Sequence, residues 1–248
     1  MPFEADLPPP SPILRERLAP GNLLRAGINL SNFLLVSGRS SSGEPEGVAP
    51  DLARALADHL GTGLRLVPYA NPGLLADAAP RDEWDVGLIG AEPQRAEAIR
   101  FTPAYAEIAA SYLVRADSPL RAIADVDAEG VRIAVTGRTA YGLWLDRAIR
   151  KAELVRSATL DDAARDFAEK RLDALAGLRP RLLADAVAMP GTRILDGHFM
   201  TVQQAIGVPR AKAEAADYLA GFVAAAKRSD FVAALIAKHG VQGLSVAA

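Results

Sequence analysis

Short apolar stretches alternate with stretches of helical period along most of this chain, and this alternation is the feature that most limits its fold. One helical stretch is PDLARALADHLG, in which Leu52, Leu56 and Leu60 share a face and Gly61 provides a stop. The clearest predicted strands are 23–28, 64–69, 84–90, 131–137 and 172–177. Short strands that alternate with helices of about 10–15 residues indicate βαβ units and parallel sheets.

Two strand-like stretches, 108–115 and 199–208, flank the middle block of this pattern. They predict a chain that leaves a first lobe, builds a second lobe and then returns. We therefore expect an α/β protein with three parts. These are a loose, proline-rich N-terminal arm (1–21), a first lobe (22–112 with 203–248) and a second lobe (113–202). The apolar residues of the last 40 positions or so recur with helical periodicity, which predicts two helices there.

Composition excludes several classes of protein. The formal net charge of the 248 residues is −2, and no basic stripe with interleaved aromatic residues is present, so we expect no nucleic-acid partner. The chain has no cysteine, and its three histidines (His59, His198 and His239) are far apart without metal-ligand spacing. No hydrolase elbow, phosphate loop or dinucleotide fingerprint occurs. We expect no metal, no cofactor and no catalytic residue.

The start of the sequence has no basic segment followed by an apolar one, so it does not read as a signal peptide. No apolar run approaches the ~20 residues that a membrane-spanning helix needs, and we expect no direct membrane insertion. If Met1 is the natural start, these features predict a cytoplasmic protein.

Two positions have the chemistry of a ligand anchor. Arg95 follows a predicted strand near a helix start, where the helix dipole mildly disfavours a cation. A ligand carboxylate bound by both guanidinium nitrogens would explain an arginine there, although most such arginines are simply solvated. Thr139, in VTGRTAYG, lies at a predicted helix N-terminus, which serves either as an anion site or as an ordinary N-cap.

The order of motifs along the chain resembles the family 3 extracellular solute-binding proteins, the polar-amino-acid receptors of ABC importers. The likeness covers roughly residues 23–246. Five segments carry it in sequence: GEPEGVAPDLARALADHLG, WDVGLIG, EPQRAEAIRFTPAY, VRIAVTGRTAY and RLDALAG. Each motif is weak by itself, but their common order is specific.

The resemblance implies a two-lobed, type II periplasmic-binding-protein-like fold, with two parallel-rich sheets flanked by helices and a two-strand hinge. It also implies a monomer that closes on a small carboxylate-bearing ligand, with an ABC permease as partner and the periplasm as compartment. The matched Arg95 would grip the carboxylate, and Thr139 would add its hydroxyl and backbone N–H. The other expected ligand residues are Asn32, Phe33, Gly90, Glu92, Gly137 and Arg138.

The chain departs from the family pattern at two points. The spacing from Asp85 to Arg95 is short, with Gly90 and Glu92 near the places of hydroxyl residues. The family's aspartate for the ligand ammonium falls near Leu178, where no carboxylate stands. There are then two alternatives. Either the ligand lacks an α-amino group, or Glu92 replaces the aspartate as the partner of the ligand ammonium. Two rival functions are a dehydratase-like enzyme with Glu92 as its acid, and a cytoplasmic ligand sensor without a transporter.

Overall fold

The computed structural model describes residue 3 and residues 7–248, which form a mixed α/β structure. The α-helices are α1 (Pro12–Leu18), α2 (Val48–Leu60), α3 (Pro72–Ala78), α4 (Ala140–Ala148), α5 (Leu160–Glu169), α6 (Arg179–Ala188), α7 (Ala216–Arg228) and α8 (Phe231–Lys238). The longer strands are β1 (Leu23–Asn29), β4 (Gly63–Tyr69), β5 (Val86–Gly90), β7 (Ala106–Arg115), β8 (Arg132–Thr136), β9 (Glu153–Ser157), β10 (Ala174–Leu178) and β12 (Met200–Pro209). The shorter ones are β2 (Gly38–Arg39), β3 (Pro45–Glu46), β6 (Ile99–Phe101), β11 (Thr192–Ile194) and β13 (Ser245–Val246).

Contacts within the chain define two compact units. The first consists of Met1–Glu107 and Gln203–Ala248, and the second of Ile108–Val202. The chain passes from the first unit to the second within β7 and returns within β12. The boundary near residue 107 lies five residues before the boundary expected at 112/113.

The sheet of the first unit is built around β1, which pairs in parallel with β4 on one side and with β5 on the other. β12 continues the sheet beyond β5 in the antiparallel sense, with Gln204 opposite Gly90. The core beneath it contains Trp84, whose indole N–H donates to the carbonyl of Leu75 at 3.0 Å. The carboxyl ends of β1 and β5 therefore lie side by side.

The start of α2 depends on a glycine. Gly47 precedes the helix with a φ of 147°, and a Cβ there would lie 2.4 Å from the carbonyl oxygen of Leu35. Only glycine fits such a close approach of backbone to backbone. The helix begins at Val48 rather than at Pro50 as the sequence predicted, because Pro50 suits the first turn of a helix that has already started.

The sheet of the second unit runs in the order β7, β10, β8, β9, with β8 parallel to both β9 and β10, and β10 antiparallel to β7. Alternate residues of these strands enter two separate apolar clusters. Ile133 and Val135 belong to the larger cluster, and Ala134 belongs to the smaller one with Phe167. This period of two is what a strand buried on both faces requires.

A buried network of charges fixes the beginning of β5 in the first unit. Asp85 is 0% exposed, and its carboxylate accepts hydrogen bonds from the backbone N–H and guanidinium of Arg25 and from Nζ of Lys212 at 2.5 Å. Asp82, which is largely exposed, also pairs with both cations. Two acids and two bases thus balance each other where β1, β5 and the 3₁₀ turn Arg210–Ala215 meet.

The described residues of the N-terminal segment include a helix. α1 occupies Pro12–Leu18, within the stretch 1–21 that was predicted as a loose arm; residues 1, 2 and 4–6 of that stretch lie outside the described part of the chain. Ser11 caps α1, its hydroxyl accepting from the N–H of Leu14 at 3.3 Å, and Leu18 is fully buried. Arg17 pairs with Glu214 at 2.8 Å, which ties the segment to the rest of its unit.

Candidate functional site

Arg95 lies just beyond the carboxyl end of β5, in a 3₁₀ turn formed by Arg95–Glu97. Its Nη1 donates to the carbonyl of Gly90, the last residue of β5, at 2.6 Å. The residue is 5% exposed, so this cation is buried. The hydrogen bond occupies one of the five guanidinium N–H donors. The geometry thus fixes the charge of Arg95 at the end of the strand.

Glu92 lies just before this turn and is 4% exposed. Its backbone carbonyl accepts a hydrogen bond from the N–H of Ala96 at 3.0 Å, which closes the turn. One acid and one base are therefore buried within four residues of each other. A buried charge is tolerated only when other polar groups compensate it, so both of these side chains need polar partners in this region.

Asn32 and Phe33 lie in the turn that follows β1. The Asn32 side chain is buried, and its Oδ1 accepts from the N–H of Leu34 at 3.3 Å. Its backbone carbonyl accepts from Leu35 and Val36, so Asn32 stabilises its own turn. Phe33 is 39% exposed and offers an aromatic face at the surface of its unit.

In the second unit, Gly137, Arg138 and Thr139 form the turn between β8 and α4. Thr139 is the N-cap of α4, its hydroxyl accepting from the N–H of Gly142 at 3.1 Å and donating to the carbonyl of Thr136 at 2.8 Å. Arg138 is exposed and has a left-handed φ of 60°. The ordinary N-cap interpretation of Thr139 is therefore correct. It does not exclude an anion site, because the dipole of α4 points its positive end at this turn.

In each unit, the predicted ligand residues lie in turns that follow the carboxyl ends of parallel strands. The turns with Asn32 and Arg95 follow β1 and β5, which are neighbouring parallel strands. The turn with Thr139 follows β8, whose parallel neighbour β10 runs directly into α6. Ligands of open α/β sheets bind outside the carboxyl ends of the strands, and all these turns lie at such ends.

Two residues near the second of these places were not predicted from the sequence. Tyr141, in the first turn of α4, and Asp185, on α6, are both buried and border one small cavity. Burial raises the pKa of Asp185, although the guanidinium of Arg181, which donates to Oδ1 at 2.8 Å, acts in the opposite direction. Sequence reasoning missed Asp185 because α6 was not expected to be a helix.

Two absences can be stated for the part of the chain that the structure describes. Among these residues no group of three or more His, Cys, Asp or Glu side chains could hold a metal ion. Within the same residues, no helix has the length and apolar character that crossing a membrane requires.

Taken together, two α/β units joined by two strands, with polar turns at the carboxyl ends of parallel strands, define a two-lobed ligand-binding protein of the type II periplasmic-binding-protein class. The model of the bacterial extracellular solute-binding proteins, family 3, matches residues 28–242, and the chain belongs to this family. This is a family of solute-binding proteins, most of which are not enzymes. Its members are normally extracellular or periplasmic.

Solved structures show the same fold. A mutant of ArgBP from T. maritima is 20% identical, with 92% of this chain and 100% of that chain covered and a TM-score of 0.73. The ancestral amino-acid-binding protein AncCDT-1, described as a precursor of cyclohexadienyl dehydratase, is 20% identical, with 91% and 98% covered and a TM-score of 0.71. A putative binding component of an ABC transporter from Wolinella succinogenes, complexed with lysine, is 19% identical, with 88% and 95% covered and a TM-score of 0.71. No curated protein matches the sequence.

Proposed function

We propose that this protein binds a small carboxylate-bearing solute, an amino acid or a related organic acid, and serves as the receptor of an ABC transporter. The observation that carries the proposal is the burial of Arg95 at the carboxyl end of β5, held there by the carbonyl of Gly90. A cation that is desolvated in advance and fixed in orientation binds an anion more tightly than a solvated one, because less order is lost on binding.

Thr139 of the second unit is the other proposed anchor. Its own hydroxyl proton is donated to Thr136, so towards a ligand the hydroxyl acts as an acceptor in this arrangement. The anion-binding contribution then comes from backbone N–H groups at the start of α4. In this proposal the ligand makes contacts with both units, and it therefore favours the closed form of the protein over the open one.

The ligand's second functional group is the open part of the proposal. By the family resemblance, the aspartate for the ligand ammonium falls near Leu178, where this chain has no carboxylate, so an α-amino group would need Glu92 as its partner. Glu92 is buried beside Arg95, and a carboxylate there suits an ammonium in the same site. Solved relatives are described as bound to arginine or lysine, which makes cationic amino acids the first candidates to test.

The proposal is tested by ligand-induced thermal stabilisation. The purified protein is screened against amino acids, including arginine and lysine, and against organic acids without an amino group. The affinity of each hit is then measured by calorimetry for wild type and for Arg95→Ala. Losing one partner of a buried charge pair costs about 2–5 kcal/mol, so we expect affinity to fall at least ~30-fold.

Two further variants make the result interpretable. Arg95→Lys keeps the positive charge but cannot form a bidentate hydrogen bond with a carboxylate, so this variant should retain only part of the affinity. Arg100→Ala removes an exposed arginine from the neighbouring strand β6, and it should bind as wild type does. Full affinity in a folded Arg95→Ala variant would show that the carboxylate is held elsewhere. A ligand released unchanged after prolonged incubation would exclude the dehydratase alternative.

A further inference from the structure

A small, partly open cavity of the second unit lies against the first turn of α4. Its wall includes Thr136, Tyr141, Arg181 and Asp185, together with apolar side chains of α5, β10 and α6. The space inside it measures about 10 Å³. Roughly 10–15 Å³ is the least that accommodates one water molecule. The cavity therefore reaches the lower limit for a single water molecule and has no room for anything larger.

The hydroxyl of Tyr141 gives this space a polar character. Tyr141 is 3% exposed, and its hydroxyl has no hydrogen-bond partner among the described residues. Burial raises the pKa of Tyr141, whereas the neighbouring Thr136 and Thr139 side chains act in the opposite direction. Buried hydroxyls in folded proteins are almost always paired, with protein groups or with ordered water. A water molecule in the adjoining cavity would supply such a partner.

Asp185 provides the complementary acceptor on the same cavity wall. Its Oδ1 accepts one hydrogen bond from Nε of Arg181, at 2.8 Å. An ionised carboxylate has about four lone-pair sites, so this bond leaves acceptor capacity for a further donor. Arg181 is itself held by a second acid, Asp161, at 2.7 Å, which fixes the pair on α6 and α5.

We propose that one ordered water molecule occupies this cavity, accepting a hydrogen bond from the Tyr141 hydroxyl and donating one to the Asp185 carboxylate. Thr136 borders the same space, and its hydroxyl donates to the carbonyl of Thr159 at 3.3 Å, so its oxygen can accept the second proton of the water. A buried water typically makes about three hydrogen bonds, which these groups supply. The bridge joins α6 to the turn that carries Thr139. Tyr141 and Asp185 are therefore positioning residues for that turn.

The water site is independent of any ligand, so its test needs none and can fail or succeed separately from the proposed function. Tyr141→Phe is compared with Tyr105→Phe. Tyr105 is the matched control because its hydroxyl is equally buried and also without a partner, but Tyr105 does not border this cavity. We expect the melting temperature to fall by roughly 2–4 °C for Tyr141→Phe, and to stay constant or rise for Tyr105→Phe.

Two structural readouts complete the test. A high-resolution crystal structure of wild type should show a water peak within hydrogen-bond distance of Tyr141 Oη and of the Asp185 carboxylate. Amide hydrogen exchange over residues 136–142 should be faster in Tyr141→Phe than in Tyr105→Phe. An empty cavity in the wild-type density, or equal melting temperatures for the two variants, would overturn the proposal.

Discussion

The buried network around Asp85 makes a quantitative prediction about the stability of the first unit. In Asp85→Asn the side chain keeps its size but loses its charge, so Arg25 and Lys212 face each other with only Asp82 as counter-ion. Asp85 is 0% exposed, whereas the Asp82 side chain is 68% exposed and is screened by water. Removing one partner of a buried ion pair costs about 3–5 kcal/mol, because the remaining charge stays desolvated.

Urea denaturation measures this loss. The protein has two tryptophans, one in each unit, and Trp84 adjoins Asp85 in the sequence. A Trp144→Phe background therefore lets fluorescence report the unfolding of the first unit alone. With a urea dependence of about 2–3 kcal/mol per M, a loss of 3–5 kcal/mol lowers the midpoint by roughly 1–2.5 M.

Two comparisons decide whether the reasoning is correct. Asp82→Asn removes an acid from the same network at an exposed position, and it should cost less than ~1 kcal/mol. Adding Lys212→Met to Asp85→Asn removes one of the stranded cations and should restore part of the stability. If Asp85→Asn costs no more than Asp82→Asn, the buried pairing does not stabilise this unit.

The remaining predictions concern packing and pH. In Gly142→Ala the new Cβ would lie 2.6 Å from the carbonyl oxygen of Thr136, and overpacking of ~1–3 kcal/mol should outweigh the ~1 kcal/mol gained in helix propensity. Gly137→Ala, whose nearest neighbour is 3.7 Å away, is the control, and equal melting temperatures of the two would contradict this reasoning. Burial lowers the pKa of His59 below 6.5, so the unfolded chain binds the extra proton and stability should fall as pH drops through this range. His59→Gln should reduce the dependence of the melting temperature on pH between about pH 5 and 8. If that dependence is unchanged in the variant, another group is responsible for it.

Much of the fold was predictable because local signals agreed with the final structure. The strand ending at Gly90 and the helix capped by Thr139 both follow from period, turn residues and capping chemistry. The helix α1 also had its signals, a capping Ser11 followed by Pro12, but the proline-rich surroundings obscured them. These features depend on residues a few positions apart.

The features that were missed depend on contacts between distant parts of the sequence, or on unusual helix faces. Helix α6 begins with Arg-Pro-Arg and exposes Leu183 and Val187, so it lacks the polar outer face that identifies a surface helix. Lys212 reaches Asp85 across 127 positions of sequence, and no spacing rule indicates that pairing. The environments of Arg95 and Tyr141 likewise follow from burial, which only the folded chain defines.

The passage of the chain through β12 has a consequence for synthesis on the ribosome. The second unit is continuous, so all of its residues have emerged once Val202 is free of the exit tunnel. The first unit is not continuous: β5 pairs with β1 early but must wait for β12 as its second sheet partner, and Asp85 must wait for Lys212. The half of the protein that is made first is therefore completed last, and its buried acid stays without one of its two cations until the final part of translation.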